Sequence, residues 1–232
     1  MLQPNSRIFL KISGEALSSQ ENAINHDIIR SLSHTIKKFT DAGHQVALMV
    51  GAGNIFRGRN EWLGMDPAIA HYAGMLATMV NSLVMQNIMS QEWVPCSVFS
   101  AIEMSRFIKP INKITAVSKL EQWDVVICAG GSGNPFCSTD LGSVIRALEF
   151  DCTLMIKCTN IDGVYDSDPC TNPDAVRYSH LTYHDAMSQG LKVMDMSAFG
   201  MAQENNLTCL VCQLTDLEKL LISTDCATII TN

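Results

Sequence analysis

The chain has 232 residues, 47% hydrophobic and 17% charged, which is enough apolar sequence for a sizeable core and argues against disorder. A formal charge of −7 excludes a broad surface for nucleic acid or an anionic membrane, so any polyanion must be held by a few local lysines or arginines. Nine scattered cysteines read as buried free thiols of a reducing cytosol, not as a disulfide scaffold.

Cys209 and Cys212 lie three apart in a strand-like run and so point to opposite faces, which argues against zinc. There is no cleavable apolar segment at the N-terminus, and the greasiest stretch, 74–89, is cut by Asn81, Gln86 and Asn87. A soluble, cytoplasmic protein without a membrane span is expected.

In chain order, residues 7–12 form an apolar strand that ends at Lys11-Ile12 and runs into Ser13-Gly14. A charge in a strand buried on both faces is costly unless paired, which points Lys11 toward a polar site at the strand end. The order Gly-Lys-Ser/Thr occurs nowhere, so there is no Walker phosphate loop. Residues 27–42 read as an amphipathic helix, with Ile29, Leu32, Ile36 and Phe39 at helical spacing and Gly43 as the stop. A second strand, 45–50, leaves into Gly51-Ala52-Gly53-Asn54-Ile55-Phe56-Arg57-Gly58. Open α/β sheets bind ligands at such strand ends, and Arg57 offers a planar fork for phosphate. Residues 69–89 read as a methionine-rich helix, apolar nearly all round; such a helix is buried in the core or in a subunit interface, and the interface is the reading taken. His71, near its start, reads either as a ligand contact or as a structural histidine.

The rest is organised around residues 129–140, Ala-Gly-Gly-Ser-Gly-Asn-Pro-Phe-Cys-Ser-Thr-Asp, between a strand at 124–128 and a helix at 141–150. Glycine lets backbone N–H groups turn toward a ligand, and Ser138-Thr139-Asp140 suits a helix start whose dipole favours an anion. The same pattern fits a tight, capped loop. A strand at 153–157 then ends in Lys157 and leads into an Asp162-Gly163 turn with Tyr165 and Asp168 beyond. That arrangement suits a nucleoside, with Tyr165 beside the base and Asp168 on ribose hydroxyls, and it also reads as a hairpin turn. Helices at 183–190 and 197–205 and strands at 208–214 and 227–231 complete the chain.

Lys11-Ile12-Ser13-Gly14-Glu15, the 51–58 turn, Gly74-Met75-Leu76-Ala77-Thr78, Gly133-Asn134-Pro135-Phe136, Asp162-Gly163-Val164-Tyr165 and Lys192-Val193-Met194-Asp195 together resemble the bacterial UMP kinases of the amino-acid kinase fold, in order over nearly the whole chain. The resemblance implies an α/β fold, a three-layer αβα sandwich about a mostly parallel sheet. It implies a single domain over 1–232, with a UMP half at roughly 1–150 and an ATP half at roughly 151–232. It implies Mg²⁺-dependent phosphoryl transfer from ATP to UMP, a homohexamer built as a trimer of dimers, and GTP or UTP as effectors. By position, Lys11, Ile12, Ser13, Gly14, Gly53 and Arg57 would hold the ATP phosphates, and Lys157, Thr159, Tyr165 and Asp168 the rest of ATP. UMP would lie on Ala52, His71 and the run Ser132, Gly133, Asn134, Pro135, Phe136, Cys137, Ser138 and Thr139. Lys11, Arg57, Asp140 and Asp195 are the implied catalytic set.

The chain departs from the family pattern at Ala52, where a third glycine is usual, and at His71, where an aspartate is usual. The loop 18–25 lacks the usual glycines, and Cys137 and Ser138 are smaller than their usual counterparts. An alanine at 52 would cost on the order of 1 kcal/mol if the position required a positive φ. Two other readings stand beside this one: a carboxylate kinase of the same fold, against which Gly-Asn-Pro-Phe speaks, and a UMP sensor without turnover, against which Lys11, Arg57 and Asp195 speak.

Overall fold

Alternation along the strands sorts the core into two layers. The computed structural model describes residues 2–56, 64–191 and 193–232, so Arg57 and Lys192 lie outside the described residues. In β1 (Arg7–Ile12), Ile8, Leu10 and Ile12 enter one apolar layer and Phe9 the other; in β2 (Gln45–Val50), Val46, Leu48 and Val50 part from Ala47 and Met49 in the same way. The first layer is closed by α1 (His26–Asp41) and α2 (Pro67–Gln91). The second is closed by α3 (Lys113–Glu121), α4 (Thr139–Glu149), α5 (Tyr183–Ser188) and α6 (Met196–Glu204). This is the expected αβα sandwich.

Adding β3 (Cys96–Ser100), β4 (Lys109–Pro110), β5 (Val125–Ala129), β6 (Leu154–Thr159), β9 (His180–Thr182), β10 (Thr208–Gln213) and β11 (Ala227–Thr231) gives a nine-stranded sheet of order β4-β3-β5-β2-β1-β6-β10-β11-β9. Only β10 and β11 pair antiparallel in it. The chain leaves β1 for β2 on one side and returns with β6 on the other, so the strand order reverses about β1 and opens a crevice beyond its carboxyl end. The two-residue strands β7 (Val164–Tyr165) and β8 (Arg177–Tyr178) form a separate antiparallel pair joined through residues 166–176, so Asp162-Gly163 precedes this pair and is not its turn.

Three differences from the sequence reading have local causes. Periodicity assigns nothing between residues 90 and 123, where β3, β4 and α3 stand. These are short, and β3 carries two serines, Ser97 and Ser100, so neither period has room to show. Helix α2 begins earlier than expected because Asp66 caps it, its side chain accepting from Ala68 N at 2.9 Å and Ile69 N at 3.1 Å, with Pro67 in the first turn. All nine cysteines are unpaired, and Cys209 and Cys212 do enter opposite layers; Cys170, however, is exposed, and Cys96, Cys137 and Cys226 are only half-buried. By length and hydropathy α2 could cross a membrane, but Met79, Met85, Ile88 and Met89 are buried in the first layer, as in a core helix.

Candidate functional site

Two lysines stand side by side beyond the middle of the sheet. Lys11 of β1 and Lys157 of β6 are register partners, and both side chains face the layer that holds α4. Asp140, in the first turn of α4, lies against both: Lys11 Nζ is 2.9 Å from Asp140 Oδ1 and Lys157 Nζ 2.7 Å from Oδ2, with side chains 9%, 9% and 14% exposed in the order Lys11, Lys157, Asp140. The Lys157 contact is a hydrogen bond, and Lys157 also donates to the Val193 carbonyl. Asp140 Oδ1 has no hydrogen bond of good geometry, so its contact with Lys11 is chiefly ionic. Two like charges this deep are tolerable only with the carboxylate between them, and one positive charge remains in excess. Burial alone would raise the Asp140 carboxyl; the Lys11 and Lys157 charges outweigh it and hold it below the ordinary range. Burial, and then the Lys11 charge, push the Lys157 ammonium below its ordinary range against the pull of Asp140.

Three turns converge on this point. Ser13-Gly14 follows β1, and a Cβ on Gly14 would stand 2.5 Å from Gly51 O and 2.6 Å from Gly53 N, so only glycine lets the turns after β1 and β2 touch. The turn after β5 has Gly130, Gly131 and Gly133 at φ of 77°, 58° and 84°, the left-handed region. Phe136, at φ 64°, shares that conformation without being glycine, a strained backbone in the middle of the loop. Ala52 does not adopt a positive φ, so the alanine carries no backbone penalty. Ser138 caps α4, its hydroxyl accepting from Leu141 N at 3.0 Å and donating to Asp195 Oδ2.

A cavity of about 550 Å³ opens on one side of α4. Ala52, Gly53, Ser132 and Cys137 line it from the turns, Thr139 from the start of α4, and His71, Gly74, Met75 and Thr78 from α2. Gly133, Asn134, Pro135, Phe136 and Ser138 belong to the same loop without lining the cavity; Phe136 instead packs its ring on His71, centroids 5.0 Å apart at 55°. His71 stands at the cavity wall.

A second cavity, of about 630 Å³, is lined by Lys11, Ser13, Lys157, Thr159, Tyr165 and Asp168 among others. Thr159 Oγ1 donates to Ile161 O at 2.8 Å, Tyr165 OH donates to Asp162 Oδ1 at 2.8 Å, and Asp168 Oδ1 accepts from Cys170 N at 2.9 Å. Of the residues expected on ATP, Gly53 lines the first cavity, and Ile12 and Gly14 are buried and line neither. Asp195 lines neither cavity. It caps α6, Oδ1 accepting from Ala198 N at 3.0 Å, and through Ser138 it ties the starts of α6 and α4 together.

Sequence reasoning missed Thr78, Asn54 and Asn81. Thr78 Oγ1 accepts from Gly130 N at 2.9 Å, and Asn54 and Asn81 exchange amide hydrogen bonds. The available signal was a polar trio, Thr78, Asn81 and Ser82, in the middle of a largely apolar helix.

The amino acid kinase family matches residues 6–213. The uridylate kinase of Rickettsia canadensis is 44% identical over 212 residues, covering 90% of this chain and 88% of that protein. The crystal structure of UMP kinase from Ureaplasma parvum superposes with a TM-score of 0.92 at 34% identity, covering 98% of this chain and 99% of that one. UMP kinase from Bacillus anthracis superposes with a TM-score of 0.92 at 31% identity, covering 97% and 96%.

Proposed function

Since this chain belongs to the amino acid kinase family, and within it to the uridylate kinases, we propose that it transfers the γ-phosphoryl group of ATP to UMP, giving UDP and ADP, with UMP in the first cavity and ATP in the second. The observation that carries the placement is the first turn of α4. Thr139 lines the first cavity, while Asp140, the next residue, is paired to the two lysines that line the second. The division into an acceptor half and a donor half agrees with this: every residue lining the first cavity falls within 1–150, and the second adds only Lys11 and Ser13 to residues beyond 150.

The chemistry asks for positioning and charge compensation, not for a base. A phosphate monoester with a second pKa of about 6 is largely dianionic at neutral pH and already nucleophilic. Two anionic groups must still approach in line, so Lys11 and Lys157 stabilise charge on the donor side while backbone N–H groups of the 130–133 turn and the α4 N-terminus receive the acceptor phosphate. Among the described residues no group of three or more His, Cys, Asp or Glu is placed to hold a metal, and the Asp140 carboxylate is taken by two lysines. Mg²⁺ would arrive with ATP as MgATP and would supply further charge neutralisation. The enzyme acts in the cytoplasm, in keeping with nine unpaired cysteines.

Self-association belongs to the same proposal. Ile69, Tyr72, Leu76, Val80 and Leu83 form an exposed apolar stripe at helical spacing on α2, suited to a second copy in a homohexamer assembled from dimers. ADP release from MgATP, with UMP, CMP, dTMP and glutamate offered in turn, tests the reaction. Release with UMP well above the others is expected. Glutamate-dependent release would move the enzyme to the carboxylate kinases, and UMP binding without release would make it a sensor.

A further inference from the structure

The buried side of α2 carries Asn81 at 0% exposure. A side-chain amide is costly to bury unless each polar atom is matched, and here each is. Asn81 Nδ2 donates to Gly51 O at 2.9 Å and to Asn54 Oδ1 at 2.8 Å, while Asn81 Oδ1 accepts from Asn54 Nδ2 at 2.9 Å. Asn54 Nδ2 also donates to Ala23 O at 2.9 Å, so all four amide hydrogens of the pair are used. Gly51 O and Asn54 Oδ1 are in turn the atoms that would stand 2.5 and 2.7 Å from a Cβ on Gly14. The amide clasp thus sets how closely the turn after β2 lies on the turn after β1, beside Ser13 and Lys11. Three residues earlier on the helix, Thr78 Oγ1 accepts from Gly130 N at 2.9 Å and donates to Met75 O at 2.6 Å, registering the third turn from the same helix. Neither Asn54 nor Asn81 lines a cavity.

We infer that Asn81, acting through Asn54 and the Gly51 carbonyl, is a positioning residue for the phosphoryl transfer: it holds the turns after β1 and β2 at the separation from which the two phosphate groups meet. The inference rests on the assignment of the two cavities to ATP and UMP. In-line transfer is steep in geometry, and a displacement of about 1 Å costs about 100-fold in rate. Loosening the clasp therefore lowers kcat and leaves binding largely alone, because no substrate contact is removed.

Steady-state kinetics on Asn81→Ala, Asn54→Ala and the double variant test this, with Ser82→Ala as control. Ser82 is equally buried, but its hydroxyl donates only to Thr78 O of its own helix, at 2.8 Å. The expectation is a loss in kcat of about 10- to 100-fold for each single variant, with KM for UMP and ATP within about threefold of native. The double variant should be no slower than the slower single, since the pair acts as one unit. Ser82→Ala should turn over as the native protein does. Native-like kcat in folded Asn81→Ala, losses that multiply in the double variant, an equal loss in Ser82→Ala, or a rise in KM alone each overturn the inference. Asn54, half-buried in a turn, carries the same test should Asn81→Ala not fold. An inactive native protein overturns the assigned reaction instead, whereas an active one with unaffected variants overturns only the clasp.

Discussion

The two cavities are built on opposite plans. The first is lined by glycine turns and one face of α2, with no lysine or arginine among its described lining residues; the second has Lys11 and Lys157 at its inner end. A single phosphate dianion can be received by backbone N–H groups and a helix start, which impose shape without mobile charge. A triphosphate that gives up its terminal group needs fixed cations where charge builds up, and fixed cations in a sheet need a counter-ion of their own. Asp140 answers that need. On the proposed assignment, the donor side is thus an electrostatic construction and the acceptor side a conformational one, and substitutions should separate them.

Removing donor charge should have the largest effect. Lys11→Met leaves Asp140 paired with Lys157, so the fold should survive while kcat falls by about 100-fold or more, the scale of a lost charge-stabilising contact. Native turnover in a folded Lys11→Met protein would take Lys11 out of the mechanism. Asp140→Asn should act differently, because it leaves two buried lysines without a counter-ion, at a cost of about 3–5 kcal/mol in stability. The pH dependence carries the sign of the pair. A carboxyl whose folded-state pKa is depressed contributes stability that is present above its unfolded pKa of about 4 and lost as pH falls through the folded value. Denaturant titrations from about pH 2 to 7 should show that acid loss in the native protein and a shallower one in Asp140→Asn. Parallel acid limbs in both proteins would mean that Asp140 is not held as described.

A charge on the α2 stripe comes next. Because α2 walls the acceptor cavity and does not line the donor cavity, Val80→Lys or Leu83→Glu should lower the light-scattering mass and raise KM for UMP more than KM for ATP. Both side chains are exposed in the single chain, so folding should persist. An unchanged mass in both variants would leave the stripe as free surface.

Local signals made the donor lysines legible one at a time and left their pairing hidden. Lys11 and Lys157 each end an apolar run, which marks them as charges with a purpose, and Ser138-Thr139-Asp140 reads as a helix start. Their meeting depends on β1 pairing with β6 across more than a hundred intervening residues, which no window of sequence contains. Asn81 was read as a break in an apolar stretch, when it is the residue that binds the stretch to the turn after β2. Asp195 carries a catalytic role only by resemblance; locally it is a helix cap joined to Ser138. The missed strands β3 and β4 are held by neighbours more than by their own pattern, since β3 is short and β4 has two residues.

On the acceptor side, His71 offers a gentler probe. Its ring packs on Phe136, whose left-handed backbone has to be kept in place by neighbours. An aromatic pair of this kind is worth about 0.5–1.5 kcal/mol, so His71→Asn should weaken UMP binding by up to about tenfold and leave KM for ATP unchanged. Phe136→Leu should do the same, and the double variant should lose less than the product of the two. Independent losses would show that the rings act separately, and equal effects on ATP and UMP would blur the separation of the two sides.

The smallest effect is expected at Ala52, the position where three consecutive glycines would be usual. The neighbouring turn after β5 needs glycine because its residues stand at positive φ, but Ala52 does not, and its side chain lines the acceptor cavity. Glycine at 52 would add freedom to the unfolded chain without relieving any strain in the folded one. Ala52→Gly should therefore destabilise by about 0.4–1 kcal/mol, seen as a slightly lower Tm, with kcat and both KM values unchanged. A higher Tm would mean that the alanine is strained after all. A faster kcat at unchanged stability would mean that the turn after β2 has to flex during turnover, and the acceptor side would then be less rigidly built than its glycine turns make it.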